Sequence, residues 1–166
     1  MLLDHAETLI GIAELAIALA GFTGVVVAFR SRDSGGWHPG DRLRLVFLLE
    51  ASLTAAGFAL LTLILFHALP YPDSVAISLA SFLWALYMPW SLYTSSRKIR
   101  ENKEKHQDID QFANRIVFFI FTALVVLQLV NVLLWQAFAP LLAALCFNLA
   151  GAAMQFARLV RSAFHG

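Results

Sequence analysis

Five long apolar runs separated by short polar stretches organise this chain. They cover residues 8–29, 45–67, 74–95, 113–135 and 139–160. A bilayer's hydrocarbon core is about 30 Å thick, and a helix needs roughly 20 apolar residues to cross it. Each run reaches that length, and its interior interruptions are mostly small polar residues or single carboxylates. The pattern predicts an all-α fold: a polytopic bundle of five transmembrane helices in a single domain spanning residues 1–166.

The breaks between runs have local causes. Gly35, Gly36, Pro39 and Gly40 interrupt the chain before the second run, and Asp41 is placed to N-cap it. Pro70 and Pro72 end that run, with Asp73 or Ser74 as the cap of the third. Pro140 suits the first turn of the fifth helix, where its missing N–H costs nothing. So few residues separate the fourth and fifth runs that a tight antiparallel hairpin is expected. Pro89 lies inside the third run, beside Trp84, Tyr87 and Trp90, and predicts an interruption and a kink there.

Composition agrees with the pattern. Of 166 residues, 60% are apolar and 14% charged, against about a quarter charged in soluble domains. A soluble fold of this size would expose much of that apolar surface. The net charge of +1 provides no field to recruit nucleic acid. One cysteine, Cys146, excludes a disulfide or a cysteine-based zinc site within one chain. Residues 1–8 carry Asp4 and Glu7 but no Lys or Arg, whereas Arg30 and Arg32 follow the first run. That order predicts an uncleaved first helix with its N-terminus outside.

Charge placement extends this to the whole topology. The twelve Lys and Arg occupy positions 30, 32, 42, 44, 97, 98, 100, 103, 105, 115, 158 and 161. With five spans, all twelve fall on one side, in or beside the loops 30–44 and 96–112 (Arg115 at the start of the fourth run) and toward the C-terminus. The positive-inside rule makes that side cytoplasmic, with the N-terminus out and the C-terminus in, in a cell (inner) membrane. One span more or fewer would scatter the charges over both faces. Trp37, Trp90, Tyr93 and Trp135 lie near helix ends and form an interfacial aromatic belt. The segment RKIRENKEKHQDIDQ, residues 97–111, carries i,i+4 pairs such as Arg97/Glu101 and Arg100/Glu104. It is expected to extend the third helix into the cytoplasm as a solvated connector, with docking of a cytoplasmic protein partner as its functional reading.

Polar residues within the runs are the candidates for function, because lipid supplies them no partner. Glu14 lies about 9 Å inside the outer boundary, where a carboxylate costs on the order of 2–3 kcal/mol. It continues into Ala18, Gly21 and Val25, beside a small-residue run of Ala16, Ala20 and Gly24 that allows close helix packing. Such a carboxylate lines an ion or proton path, serves as protonated structural glue, or lies shallower than this estimate. Glu50 lies about 8 Å inside the cytoplasmic boundary, on a face with Thr54 and Gly57. Gln155 and Arg158 of the fifth run fall near its depth, so a Glu50–Arg158 ion pair or a Glu50–Gln155 contact is geometrically allowed. The two glutamates are about 13 Å apart in depth and do not form a coupled pair.

Asn148, Gly151, Gln155 and Arg158 make the most continuous polar stripe. Thr122, Gln128 and Asn131 on the fourth run and Ser78 and Ser81 on the third add further polar groups, which read as bundle glue or as the lining of a hydrated cavity.

Familiar chemistry is missing. There is no Gly-rich phosphate loop, no HExxH and no TVGYG filter, and the histidines are dispersed without metal-ligand spacing. Ser52, Ser78 and Ser81 have no His placed to activate them. No inverted repeat marks a transporter. No catalytic residues, metal or cofactor are expected. The leading expectation is a homo-oligomeric ion- or proton-conducting channel. Glu14, Glu50, Gln128, Asn131, Asn148 and Gln155 would lie near its path, and Ala16, Ala20, Gly21, Gly24, Gly57 and Gly151 would form packing contacts. The alternative is a non-conducting membrane subunit or lipid-binding scaffold that docks its partner through residues 97–111.

Overall fold

A computed structural model of the chain describes residues 2–30, 39–102 and 111–165. Trp37, Gly35, Gly36 and most of the 97–111 segment lie outside the described residues. The described residues form α1 (Leu2–Arg30), α2 (Pro39–Ala68), α3 (Asp73–Asn102), α4 (Gln111–Val130) and α5 (Phe138–His165). A π-helical turn, Asn131–Trp135, extends α4. All five helices carry a stretch long and apolar enough to cross a membrane: Leu3–Ala28, Asp41–Ala68, Asp73–Arg97, Val117–Trp135 and Phe138–Ser162. Five candidate spans are the architecture of a multi-pass membrane protein, whose exposed apolar side chains meet bilayer lipid.

Each helix outruns its apolar run, because polar residues of good helix propensity flank the spans. Thus α3 continues past its span to Asn102, the extension expected of residues 97–111 as far as the described chain goes. The prolines fall as anticipated at the end of α2 and the start of α5. Two details differ from the sequence reading. First, α2 begins at Pro39, so Asp41 sits within its first turn rather than ahead of it as the cap. Second, α3 is continuous through Pro89, which stands on its exposed side. An interior proline costs the helix one N–H and crowds its own carbonyl one turn back, a local loss that need not end the helix.

The chain divides into two compact units, one formed by residues 1–64 and 143–166, the other by residues 65–142. In the first unit, Phe22 of α1 packs obliquely on Phe156 of α5, with ring centroids 6.5 Å apart. At one end, the Ser162 hydroxyl of α5 donates to Asp41 Oδ1 of α2 at 3.0 Å. This bond puts the start of α2 and the end of α5 at the same end of the unit, as an odd number of spans requires. Buried side chains on these helices include Leu9, Ile12, Ala13 and Ala16, then Leu48, Ala55, Ala56 and Ala59, then Ala144, Leu145, Ala152 and Leu159. The 3–4 residue spacing marks one inward face per helix.

Alanine rather than glycine supplies the close approach. A Cβ added to Gly21, Gly24, Gly57 or Gly151 would meet no heavy atom within 4 Å. Gly21, Gly24 and Gly57 are exposed, whereas Ala16 is fully buried and Ala20 partly so. The buried hydroxyls of Thr23, Thr54 and Thr62 donate to carbonyls one turn back, at Leu19, Glu50 and Phe58. Threonine can bury its oxygen in this way without a partner from another helix.

In the second unit, α3 packs on α4, and Ala76, Ile77, Ala80, Trp84, Ala85 and Met88 of α3 are buried. The Trp84 ring lies 6.3 Å from that of Phe121. Of the five spans α4 is the least covered, with 17% of its apolar window buried against 39% for α2 and α3. Phe118, Phe119, Leu133 and Leu134 stand outward along it as lipid-facing surface.

Candidate functional site

The polar residues singled out by the sequence fall into three places with different chemistry. The most highly built is at the junction of α4 and α5. Asn131 is fully buried. Its amide Nδ2 donates to the Ala137 carbonyl at 3.0 Å, and its Oδ1 accepts from the Ala137 N–H at 3.0 Å. This reciprocal pair also settles the amide's orientation, since the reverse would set donor against donor. Nδ2 donates further to Ser81 Oγ on α3 at 3.1 Å. One turn earlier, Gln128 Nε2 donates to the Pro140 carbonyl at 2.6 Å.

Asn131 Oδ1 thereby serves the Ala137 N–H, a donor for which the start of α5 offers no intrahelical partner. The Gln136 N–H bonds the Asn131 carbonyl at 2.7 Å, the i to i+5 spacing of a π turn. Gln136 itself adopts φ 48°, a left-handed conformation unusual for a residue with a side chain. The reversal is then completed by Gln136 and Ala137 alone before α5 begins. Gln128 and Asn131, two of the path-lining candidates, thus lie in this buried node. Both are occupied in closing this turn, where lipid would otherwise face unsatisfied backbone groups.

Satisfaction is incomplete around this node. Gln128 Oε1, Ser78 Oγ and Trp84 Nε1 are buried without a hydrogen-bond partner. The Ser81–Asn131 bond fixes the antiparallel register of α3 and α4, and three residues along each helix this register sets Trp84 level with Gln128.

The second place is the outward face of α1. Glu14 is exposed there, in line with exposed Ala18, Gly21 and Val25. Its carboxylate lies inside the apolar span Leu3–Ala28, on the side opposite buried Ile12, Ala13 and Ala16.

The third place is the end of the first unit that holds Asp41. This carboxylate is buried, accepts the Ser162 hydroxyl, and pairs with Arg44 Nη1 at 3.0 Å. The ion pair here is Asp41–Arg44, where depth alone had suggested Glu50–Arg158. Arg158 is exposed and Glu50 half-buried. Nothing in the local sequence singled out Asp41 for this role, since its partner Ser162 is 121 positions away.

The α5 stripe runs from buried Asn148, through half-buried Gly151 and Gln155, to exposed Arg158. It turns from the interior to the surface rather than lining one cavity. Asn148 Nδ2 and Ser52 Oγ are buried without hydrogen-bond partners. Among the described residues no three His, Cys, Asp or Glu side chains are grouped as metal ligands. No family model, no curated protein and no solved structure matches the chain.

Proposed function

We propose that the chain is a subunit of a homo-oligomer in a cell (inner) membrane, with its N-terminus outside and its C-terminus in the cytoplasm. The assembly conducts ions or protons past the Glu14 face of α1. The observation that carries this reading is the exposed position of Glu14 within a candidate span. A carboxylate left facing lipid costs on the order of 2–3 kcal/mol. A second copy on that face, with water between the copies, removes the cost. The exposed small residues Ala18, Gly21 and Gly24 leave room for close approach. Orientation rests on the one-sided placement of the twelve Lys and Arg.

Glu50 and Gln155 remain candidates for the inner part of such a path, both being half-buried. Asn148 is buried in the first unit and is the next candidate. Reconstitution into liposomes tests the reading: flux above empty vesicles is expected, reduced by Glu14→Gln. Absence of flux at either polarity and across a pH range overturns conduction. In that event a non-conducting subunit or lipid-binding scaffold remains, a reading favoured by the structural use of Gln128 and Asn131.

A further inference from the structure

The corner where α2 begins and α5 ends carries a second kind of chemistry. The Ser162–Asp41 hydrogen bond joins the two helices just outside their apolar runs, residues 45–67 and 139–160. The corner therefore stands at the level of lipid headgroups. Within one helical turn of that bond lie Arg42, Arg44, Arg158 and Arg161. Arg42, Arg158 and Arg161 are exposed, and Arg44 is held against Asp41. Among the described residues these helix ends carry four guanidiniums and one carboxylate, and that carboxylate is buried and accepts hydrogen bonds from Arg44 and Ser162.

We propose that this corner binds the phosphate of an anionic phospholipid. Guanidinium is planar and bidentate and suits phosphate oxygens. Basic pockets between transmembrane helices at the headgroup level select anionic lipids. Among the described residues of these two helix ends the one carboxylate, Asp41, is buried, whereas Arg42, Arg158 and Arg161 are exposed, so a net-negative headgroup is favoured. Asp41 acts as the anchor: it fixes Arg44 and, through Ser162, the end of α5, so that arginines from two distant parts of the chain converge. This inference is independent of conduction and of what covers Glu14.

Native mass spectrometry of the delipidated full chain in mild detergent tests it, with phosphatidylglycerol and phosphatidylcholine as probes. Preferential retention of phosphatidylglycerol is expected, falling about fivefold for each of Arg42→Gln and Arg158→Gln. Arg97→Gln on α3 is the control for general basic charge and should change retention little; an equal loss there overturns a specific site. Asp41→Asn separates an organised site from a diffuse field. Removing a negative charge strengthens binding if only the field matters, whereas loss of the anchor weakens it. Ser162→Ala cuts the same tie without a charge change, and weaker binding is again expected, so the test stands even if Asp41→Asn fails to fold. Unchanged retention in Ser162→Ala, or millimolar inorganic phosphate displacing the lipid fully, overturns the proposal.

Discussion

Asn131 and Glu14 are both polar residues inside apolar spans, and the fold treats them in opposite ways. Asn131 is fully buried, and both ends of its amide are bonded, to Ala137 and Ser81. Glu14 is exposed on the far side of α1 from that helix's buried alanines. The difference teaches how to sort intramembrane polar groups. A group that replaces missing backbone bonds is explained by the fold of one chain. A charged group that one chain leaves uncovered calls for something beyond that chain, such as water, lipid or another copy.

Breaking the Asn131 node should have the largest effect on the protomer. Asn131→Leu removes three hydrogen bonds and leaves the Ala137 peptide and Ser81 in apolar surroundings. A loss of about 2–3 kcal/mol is expected in reversible unfolding in bicelles. A loss no larger than that of a typical single membrane hydrogen bond, about 0.6 kcal/mol, would remove the node from its structural role. Gln128→Leu should destabilise less, by about 1 kcal/mol, because it breaks the bond to Pro140 but also removes the buried, unbonded Oε1.

On the other side of the comparison, effects on the protomer should be small. Gly57→Ala meets no neighbour and should stabilise α2 by about 0.5–1 kcal/mol through helix propensity, readable in the same unfolding assay. Glu14→Gln should leave the unfolding of the isolated protomer within about 0.5 kcal/mol of the parent. Cross-linking in lipid and liposome flux should nevertheless fall in Glu14→Gln. If instead it destabilises the protomer as much as Asn131→Leu, the carboxylate is structural glue and the contrast collapses.

Much of the architecture was legible in the sequence. The five runs, the prolines around residues 70–72 and the proline in the first turn of α5 each correspond to a feature of the helices. They are local properties, set by length, hydropathy and backbone chemistry over a few residues. Pro89 lies within a helix that runs through it, so the run 74–95 stays one span. The spacing of small residues did not tell which of them turn inward: Ala55, Ala56 and Ala59 occupy buried positions of α2, and Gly57 between them faces outward.

By itself, the sequence determined how many helices are long and apolar enough to span and how far along its apolar run each polar residue falls. Depth is a one-dimensional quantity, read at about 1.5 Å per residue along a helix. Only the tertiary structure decided which of those polar residues are already engaged. Asn131 needed a left-handed Gln136 to bring Ala137 back to it, and Asp41 needed the whole chain between it and Ser162 to fold. The physical reason is that partnership depends on which way each helix is turned about its axis, and that rotation is fixed only when the helices pack.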